Sequence, residues 1–279
     1  MTETQIPSRV FPDASQGAAD AKNIVHTAQT DSLSYKLAFQ DNAFLLRPDL
    51  RPVRFQLELL KPELFLDEAN IASTMVFYGS ARIPAPDVKS QNPDPKIAAR
   101  LEANSWTYAE ARKLAALASG TPLDEDGKRH FVVCSGGGPS VMEAANRGAQ
   151  DVGAESIGLN IVLPHEQAPN PYVTPTLSFQ FHYFALRKMH FLLRARAVAV
   201  FPGGFGTFDE TFELLTLIQT GKIKPMPVLL FGREFWNRVV NFEALVEEGV
   251  ISPGDLEIFR FVDTAEEAWQ IVQDFYAVS

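Results

Sequence analysis

The sequence predicts an α/β protein, a Rossmann-like doubly wound parallel sheet with helices on both faces. Three observations carry this reading. From residue 73 onward, short β-rich runs alternate with segments of helical periodicity. The connections between them are short, which favours parallel strands with crossover helices. Three of the apolar runs stop at glycines, at Gly79, Gly136 and Gly203. In open α/β sheets ligands sit beyond the carboxyl ends of the strands, so these glycines mark the edge on which a site is expected.

The elements follow in order. Residues 1–45 are polar, without sustained periodicity, and read as a mobile N-terminal arm that docks late in its length, near residues 35–46. Residues 46–279 read as a single domain. Residues 51–67 space Phe55, Leu59, Leu60 and Leu64 at helical intervals, and the spacing predicts a short helical preface at about 51–68 that Pro62 interrupts. Strands are expected at 73–79, 131–138, 156–163, 197–204 and 226–232. Helices are expected at 97–118, 140–150, 183–195, 207–219 and 265–277. Residues 83–95, rich in Pro, Asn and Asp, read as a surface loop.

Composition excludes several classes. The 279 residues are 46% hydrophobic and 21% charged, enough for a core and unlike a disordered chain. The net charge of −9 and the lack of a basic stripe argue against nucleic acid as a partner. A small anion is still compatible, because backbone N–H groups can hold a phosphate. The one cysteine, Cys134, lies in an apolar run, forms no intrachain disulfide and is expected to be buried and inert. The opening MTETQIPSRVF does not read as a signal peptide, and no run approaches a membrane span. The expectation is therefore a cytoplasmic protein without membrane association.

The sharpest segment is FPGGFGTFDETFE, residues 201–213. An apolar strand stops at Pro202, and Gly203, Gly204 and Gly206 allow a tight turn and close approach of a ligand. Thr207 falls in the first turn of the following helix, where free N–H groups favour an anion by about 0.3–1 kcal/mol from the dipole alone. Asp209, Glu210 and Glu213 follow within two turns, with Asp209 and Glu213 four apart on one face. A glycine turn that merely suits helix packing is the bland alternative. Familiar nucleotide loops do not fit. No GxxxxGK[ST] occurs, and the two GxGxxG beginnings carry Asp209 and Val141 where the third glycine should stand.

A second strand–glycine–helix segment runs from Cys134 through Gly136, Gly137 and Gly138, with Met142 placed either to pack on a base or in the core. At the end of the first strand, Gly79 and Ser80 occupy the same edge. A third segment, FALRKMHF, puts Arg187 and Lys188 side by side on an otherwise apolar helix. The Arg fork suits phosphate or carboxylate.

Together these segments resemble the LONELY GUY family, once labelled lysine decarboxylases, whose signature PGGxGTxxE follows an Arg-Lys pair. Here it reads Pro202, Gly203, Gly204, Gly206, Thr207 and Glu210, with Arg187 and Lys188 upstream, and the resemblance covers roughly residues 73–251. It implies binding of a small-molecule nucleoside monophosphate and hydrolysis of its N-glycosidic bond. It also implies a homo-oligomer, a dimer or larger. Arg187 and Glu210 would be the catalytic pair. Gly203, Gly204, Phe205, Gly206, Thr207, Phe208 and Asp209 would form the phosphate and ribose cradle, and Glu166 and Thr216 would be further ligand contacts. No cofactor is implied. The chain departs from the family in having FALRK where MHERK is common, in Asp209-Glu210 where Glu-Glu is frequent, and in its long N-terminal extension.

The histidines (His26, His130, His165, His182 and His190) show no metal-ligand spacing, so no metal is expected. His182 and His190 flank Arg187. Lys188 could in principle form a Schiff base, but the chain lacks the size of a decarboxylase with a substrate domain. Trp269, Val272 and Phe275 on the last helix read as core or subunit contact.

Overall fold

The computed structural model describes Phe11, residues 13–164 and residues 168–277. Glu166, with His165, lies outside the described residues. The chain divides into two compact units, Met1–Leu57 and Glu58–Ser279.

The first unit holds short helices. In α1 (Ala14–Asp20) the Asp13 carboxylate caps the N-terminus by accepting from Gln16 N at 2.8 Å. In α2 (Asn42–Leu45) Asp41 does the same for Phe44 N at 3.1 Å. These are side-chain caps that satisfy orphan donors at a helix start.

The boundary between the units falls within α3 (Arg51–Glu68). Pro62 does not interrupt this helix, contrary to expectation. Proline removes the N–H that would have bonded the Glu58 carbonyl. That carbonyl instead accepts from His190 Nε2 at 3.0 Å, so the lost helical bond is replaced from another element.

The second unit is a seven-stranded, all-parallel sheet. Its strands are β1 (Thr74–Tyr78), β2 (Val132–Ser135), β3 (Ile157–Ile161), β4 (Ser178–Phe181), β5 (Ala195–Val200), β6 (Val228–Phe231) and β7 (Arg260–Val262). The order is β4-β3-β2-β1-β5-β6-β7. The chain winds outward from β1 to β4, returns to pair β5 with β1, and winds out the other way. The switch point therefore lies between β1 and β5.

The remaining helices are α4 (Pro95–Ala103), α5 (Trp106–Ser119), α6 (Val141–Asp151), α7 (Phe184–Leu193), α8 (Phe205–Gln219), α9 (Arg233–Val239), α10 (Phe242–Glu247) and α11 (Ala265–Tyr276). They cover both faces, as expected. Met75 and Phe77 of β1 and Ala197 and Ala199 of β5 join one core with Leu114 of α5, Ala145 of α6 and Val272 of α11. Val76 and Tyr78, with Val198 and Val200, join the opposite core with Phe191 of α7, Leu214 of α8 and Trp236 of α9. This is the period-two alternation of a strand buried on both sides.

The single helix expected at 97–118 is two, α4 and α5, broken at Asn104 and Ser105. Asn104 Nδ2 donates to the Arg100 carbonyl at 2.9 Å, and Thr107 Oγ1 donates to the Asn104 carbonyl at 2.7 Å. Such local side-chain bonds compete with the helical ladder. The strands β4 and β7 and the helices α9 and α10 were not expected at all. α5 and α6 pack so closely that a Cβ on Gly148 would overlap the Arg112 carbonyl oxygen and sit 2.8 Å from its carbon. Gly148→Ala should therefore lower stability by about 1–3 kcal/mol, read from the denaturant midpoint.

Candidate functional site

The carboxyl ends of β1, β2 and β5 open into a cavity of about 800 Å³. It sits at the switch point, where an open sheet splays its loops apart. Gly79 and Ser80 follow β1, Gly136 follows β2, and Gly204, Phe205, Gly206, Thr207 and Phe208 form the start of α8. All of these line the cavity, together with Met142, Arg187 and Glu210.

α8 begins with Gly204 as its N-cap, and no side chain caps it. The N–H groups of its first turn have no partner within the helix. Nothing lies within 4 Å of where a Gly204 side chain would project, so the approach is open. Gly203 has the opposite environment: a Cβ there would overlap Thr207 Oγ1 and lie 2.7 Å from Thr207 Cβ. The buried Thr207 side chain occupies the space that the glycine leaves.

Arg187 and Glu210 face each other across the cavity, Nη1 to Oε1 at 3.7 Å, with side chains only 12% and 13% exposed. Two contacts fix the guanidinium, and a glycine leaves it room. Its Nε donates to the Leu159 carbonyl at 2.7 Å, its plane lies over the Phe191 ring at 5.1 Å, and Nη2 would be 2.7 Å from any Cβ on Gly136. Gly136 is thus the residue that makes room for both Arg187 and Met142. Burial raises the Glu210 carboxyl above its ordinary range, with Asp209 adding to the shift and Arg187 opposing it.

The loop after β2 is held from behind. Gly137 has φ +72°, and a Cβ there would overlap the Asn160 amide. Asn170 Nδ2 donates to the Gly137 and Gly138 carbonyls at 3.1 and 3.0 Å and to Asn146 Oδ1 at 3.0 Å. Ser135 Oγ donates to the same Asn146 oxygen at 2.7 Å. This buried network is closed, so it rigidifies the loop.

Several residues singled out from the sequence stand off the cavity. Gly137 and Gly138 lie behind Gly136, and Gly203 faces the neighbouring cavity. Lys188 points to α8, where its ammonium meets Asp209 at 3.0 Å and Glu213 at 2.9 Å. Burial of Lys188 would lower its pKa, but those two carboxylates outweigh it and the net shift is upward. Thr216 is exposed on α8 and bonds the Phe212 carbonyl. Cys134 is buried, and burial pushes its thiol well up. Among the described residues no helix is long and apolar enough to cross a membrane.

The cavity also holds residues that the sequence reading passed over. Tyr78 is buried in its wall, and burial, aided by the Glu210 carboxylate, raises its phenol well above the ordinary value. It meets Phe191 edge-on at 5.1 Å. Phe191 itself was findable, one helical turn after Arg187. Arg82 stands exposed at the rim. Val239 carried no signal, because α9 went unread.

Fold and cavity together define a doubly wound α/β protein with a glycine-loop site at its switch point. Residues 142–272 match a family model described as "Possible lysine decarboxylase". The chain is similar to cytokinin riboside 5′-monophosphate phosphoribohydrolase LOG3 of Arabidopsis thaliana, 28% identical over 148 residues, covering 52% of this chain and 67% of that protein. It is also similar to LOG1 of the same plant, 34% identical over 91 residues, covering 32% of this chain and 42% of that protein. In that alignment the chain spans less than half the length of its relative. Among solved structures, the molybdenum cofactor carrier protein of Chlamydomonas reinhardtii is 16% identical with a TM-score of 0.41, over 74% of this chain and 99% of that one. Over about half of its length the chain is thus similar to the LONELY GUY phosphoribohydrolases.

Proposed function

We propose that this chain hydrolyses the N-glycosidic bond of a nucleoside 5′-monophosphate, AMP or an N6-substituted AMP such as a cytokinin riboside monophosphate. The products would be the free base and ribose 5-phosphate. The observation that carries the proposal is the Arg187–Glu210 pair, nearly buried and 3.7 Å apart beside an uncapped helix start. The names of the relatives support the same reaction.

The substrate phosphate sits on the free N–H groups at the head of α8. The ribose then lies near Glu210, at most two turns along the helix. Breaking the C1′–N bond builds positive charge on the sugar, as in glycoside hydrolysis. Glu210 stabilises that charge and takes a proton from water as the water oxygen bonds C1′. The departing base leaves with the electron pair of the broken bond and receives a proton. Arg187 binds the phosphate or ribose oxygens and keeps Glu210 oriented. A carboxyl raised by burial is suited to exchanging a proton near neutral pH.

The lysine decarboxylase description does not suit the site. A Schiff base needs a free amine, and Lys188 is an ammonium held by two carboxylates outside the cavity. A carrier without chemistry would use the glycine cradle but leave the facing Arg187 and Glu210 without a role. The proposal includes self-association, which would cover Phe205, 96% exposed at the cavity mouth.

The test is chromatography of AMP incubated with the protein. Equimolar adenine and ribose 5-phosphate is the expected result. AMP binding with no base released from any nucleoside monophosphate would sink the hydrolase and leave the carrier. The acid limb of the pH–rate profile should lie above the ordinary glutamate range, because Glu210 must ionise to act as a base and burial raises it. Arg187→Met should move that limb higher still, since Arg187 is the group that lowers Glu210.

A further inference from the structure

A second cavity, of about 880 Å³, lies beside the first at the carboxyl ends of β5 and β6. Ser80 and Val239 line both. The ridge between them is the glycine turn itself: Pro202 and Gly203 face the second cavity and Gly204 the first. Nothing in the hydrolysis uses this space.

Its walls are unusual for an acidic chain. Arg100 of α4 and Arg233 and Arg238 of α9 all line it. All three are exposed, and none has an ion pair among the described residues. Arg233 is held with its guanidinium over the Phe261 ring at 4.9 Å. Two carboxylates, Glu234 and Asp263, share the wall. Asp263 is already engaged, accepting from the Arg233 backbone N–H at 3.4 Å. Three guanidiniums against two carboxylates leave a positive balance in a protein whose net charge is −9. Trp106 supplies a flat apolar wall, its ring 3.4 Å from where a Gly232 side chain would begin.

We propose that this second cavity binds a phosphoryl-bearing small molecule, separate from the hydrolytic site, through Arg100, Arg233 and Arg238, with Trp106 beside it. Guanidinium forks pair with phosphate oxygens through two charge-assisted bonds each, so a wall that carries three of them suits a phosphate. Because the ridge is the loop that sets Gly204 and Thr207, occupancy on one side bears on the cradle on the other. The proposal stands on the second cavity alone and does not depend on the hydrolase reading.

Tryptophan fluorescence provides the test. Trp106 lines the second cavity, whereas neither Trp236 nor Trp269 lines either one. Inorganic pyrophosphate and AMP are titrated separately into the full chain. A saturable change is expected in the wild type, absent from Trp106→Phe. Its midpoint should rise at least about tenfold in Arg100→Ala/Arg233→Ala/Arg238→Ala, as loss of charged hydrogen bonds predicts. It should stay within about twofold in Arg187→Ala, whose side chain lies in the first cavity. Equal midpoints for pyrophosphate and AMP would assign the site to the bare anion. A lower midpoint for AMP would assign it to a nucleotide whose base uses Trp106. The single variants Arg100→Ala and Arg238→Ala, at exposed positions, should each shift the midpoint in the same direction and guard against misfolding of the triple variant. No fluorescence change, a midpoint unmoved in the arginine variants, or one moved equally by Arg187→Ala would overturn the proposal.

Discussion

Glu210→Gln should lower base release from AMP by about 100- to 10,000-fold, the range for losing a positioned general base. AMP affinity should change little, because Gln keeps the shape and the proposed phosphate site is made of backbone N–H groups. Steady-state kinetics and calorimetry read the two quantities separately. The same variant should be more stable than wild type at neutral pH. Burial raises the Glu210 carboxyl, so the folded chain holds its proton where the unfolded chain has released it. Stability then falls as pH climbs past 4.5, the ordinary value for this carboxyl, and continues to fall up to the raised value. Glutamine has no proton to lose, so its melting temperature should exceed that of wild type above this window. The two should converge below it. A variant that lost activity and stability together at neutral pH would show Glu210 to be a structural residue.

Gly203→Ala should be the most damaging single methyl in the site. The new Cβ overlaps Thr207 Oγ1 and lies 2.7 Å from Thr207 Cβ, so the first turn of α8 must shift. Overpacking of this kind costs about 1–3 kcal/mol. A displacement near 1 Å at the cradle costs about 100-fold in rate. Gly204→Ala is the control, because nothing lies within 4 Å of its added methyl. Its stability should stay within about 0.5 kcal/mol of wild type. If both variants melted alike, the close fit of Thr207 on Gly203 would not be what demands glycine there.

Much of this molecule is legible in its sequence. The glycine-ended strands read correctly because a buried parallel strand is a continuous apolar run, and because a loop at a sheet edge needs glycine to turn. The pairing of Arg187 with Glu210 followed from the family resemblance alone. The misses have physical causes. β4 and β7 are four and three residues long at the two edges of the sheet, each with a single neighbour, so their sequences carry little pattern. Tyr78 lies inside a strand read only for its apolarity, and nothing in TMVFY marks its last residue as a cavity wall. Asn146 and Asn170 are 24 residues apart and meet only through the fold. The pairing of Lys188 with Asp209 and Glu213 was half visible, as two acids on one helix face, but not the cation between them.

The proline of α3 has a meaning beyond its own helix. By withholding its N–H, Pro62 leaves an acceptor that His190 takes, and His190 stands three residues after Arg187 on α7. Arg194, just past that helix, returns to Glu63 at 2.9 Å and Asp67 at 2.7 Å. The helix that carries the guanidinium is therefore keyed to its neighbour like a notched shaft, with a pyrrolidine ring as the notch. An insertion or deletion of one residue between Pro62 and β1 would leave every residue of the cavity in place by sequence. It would still force a choice between keeping the key and keeping α3 on the sheet.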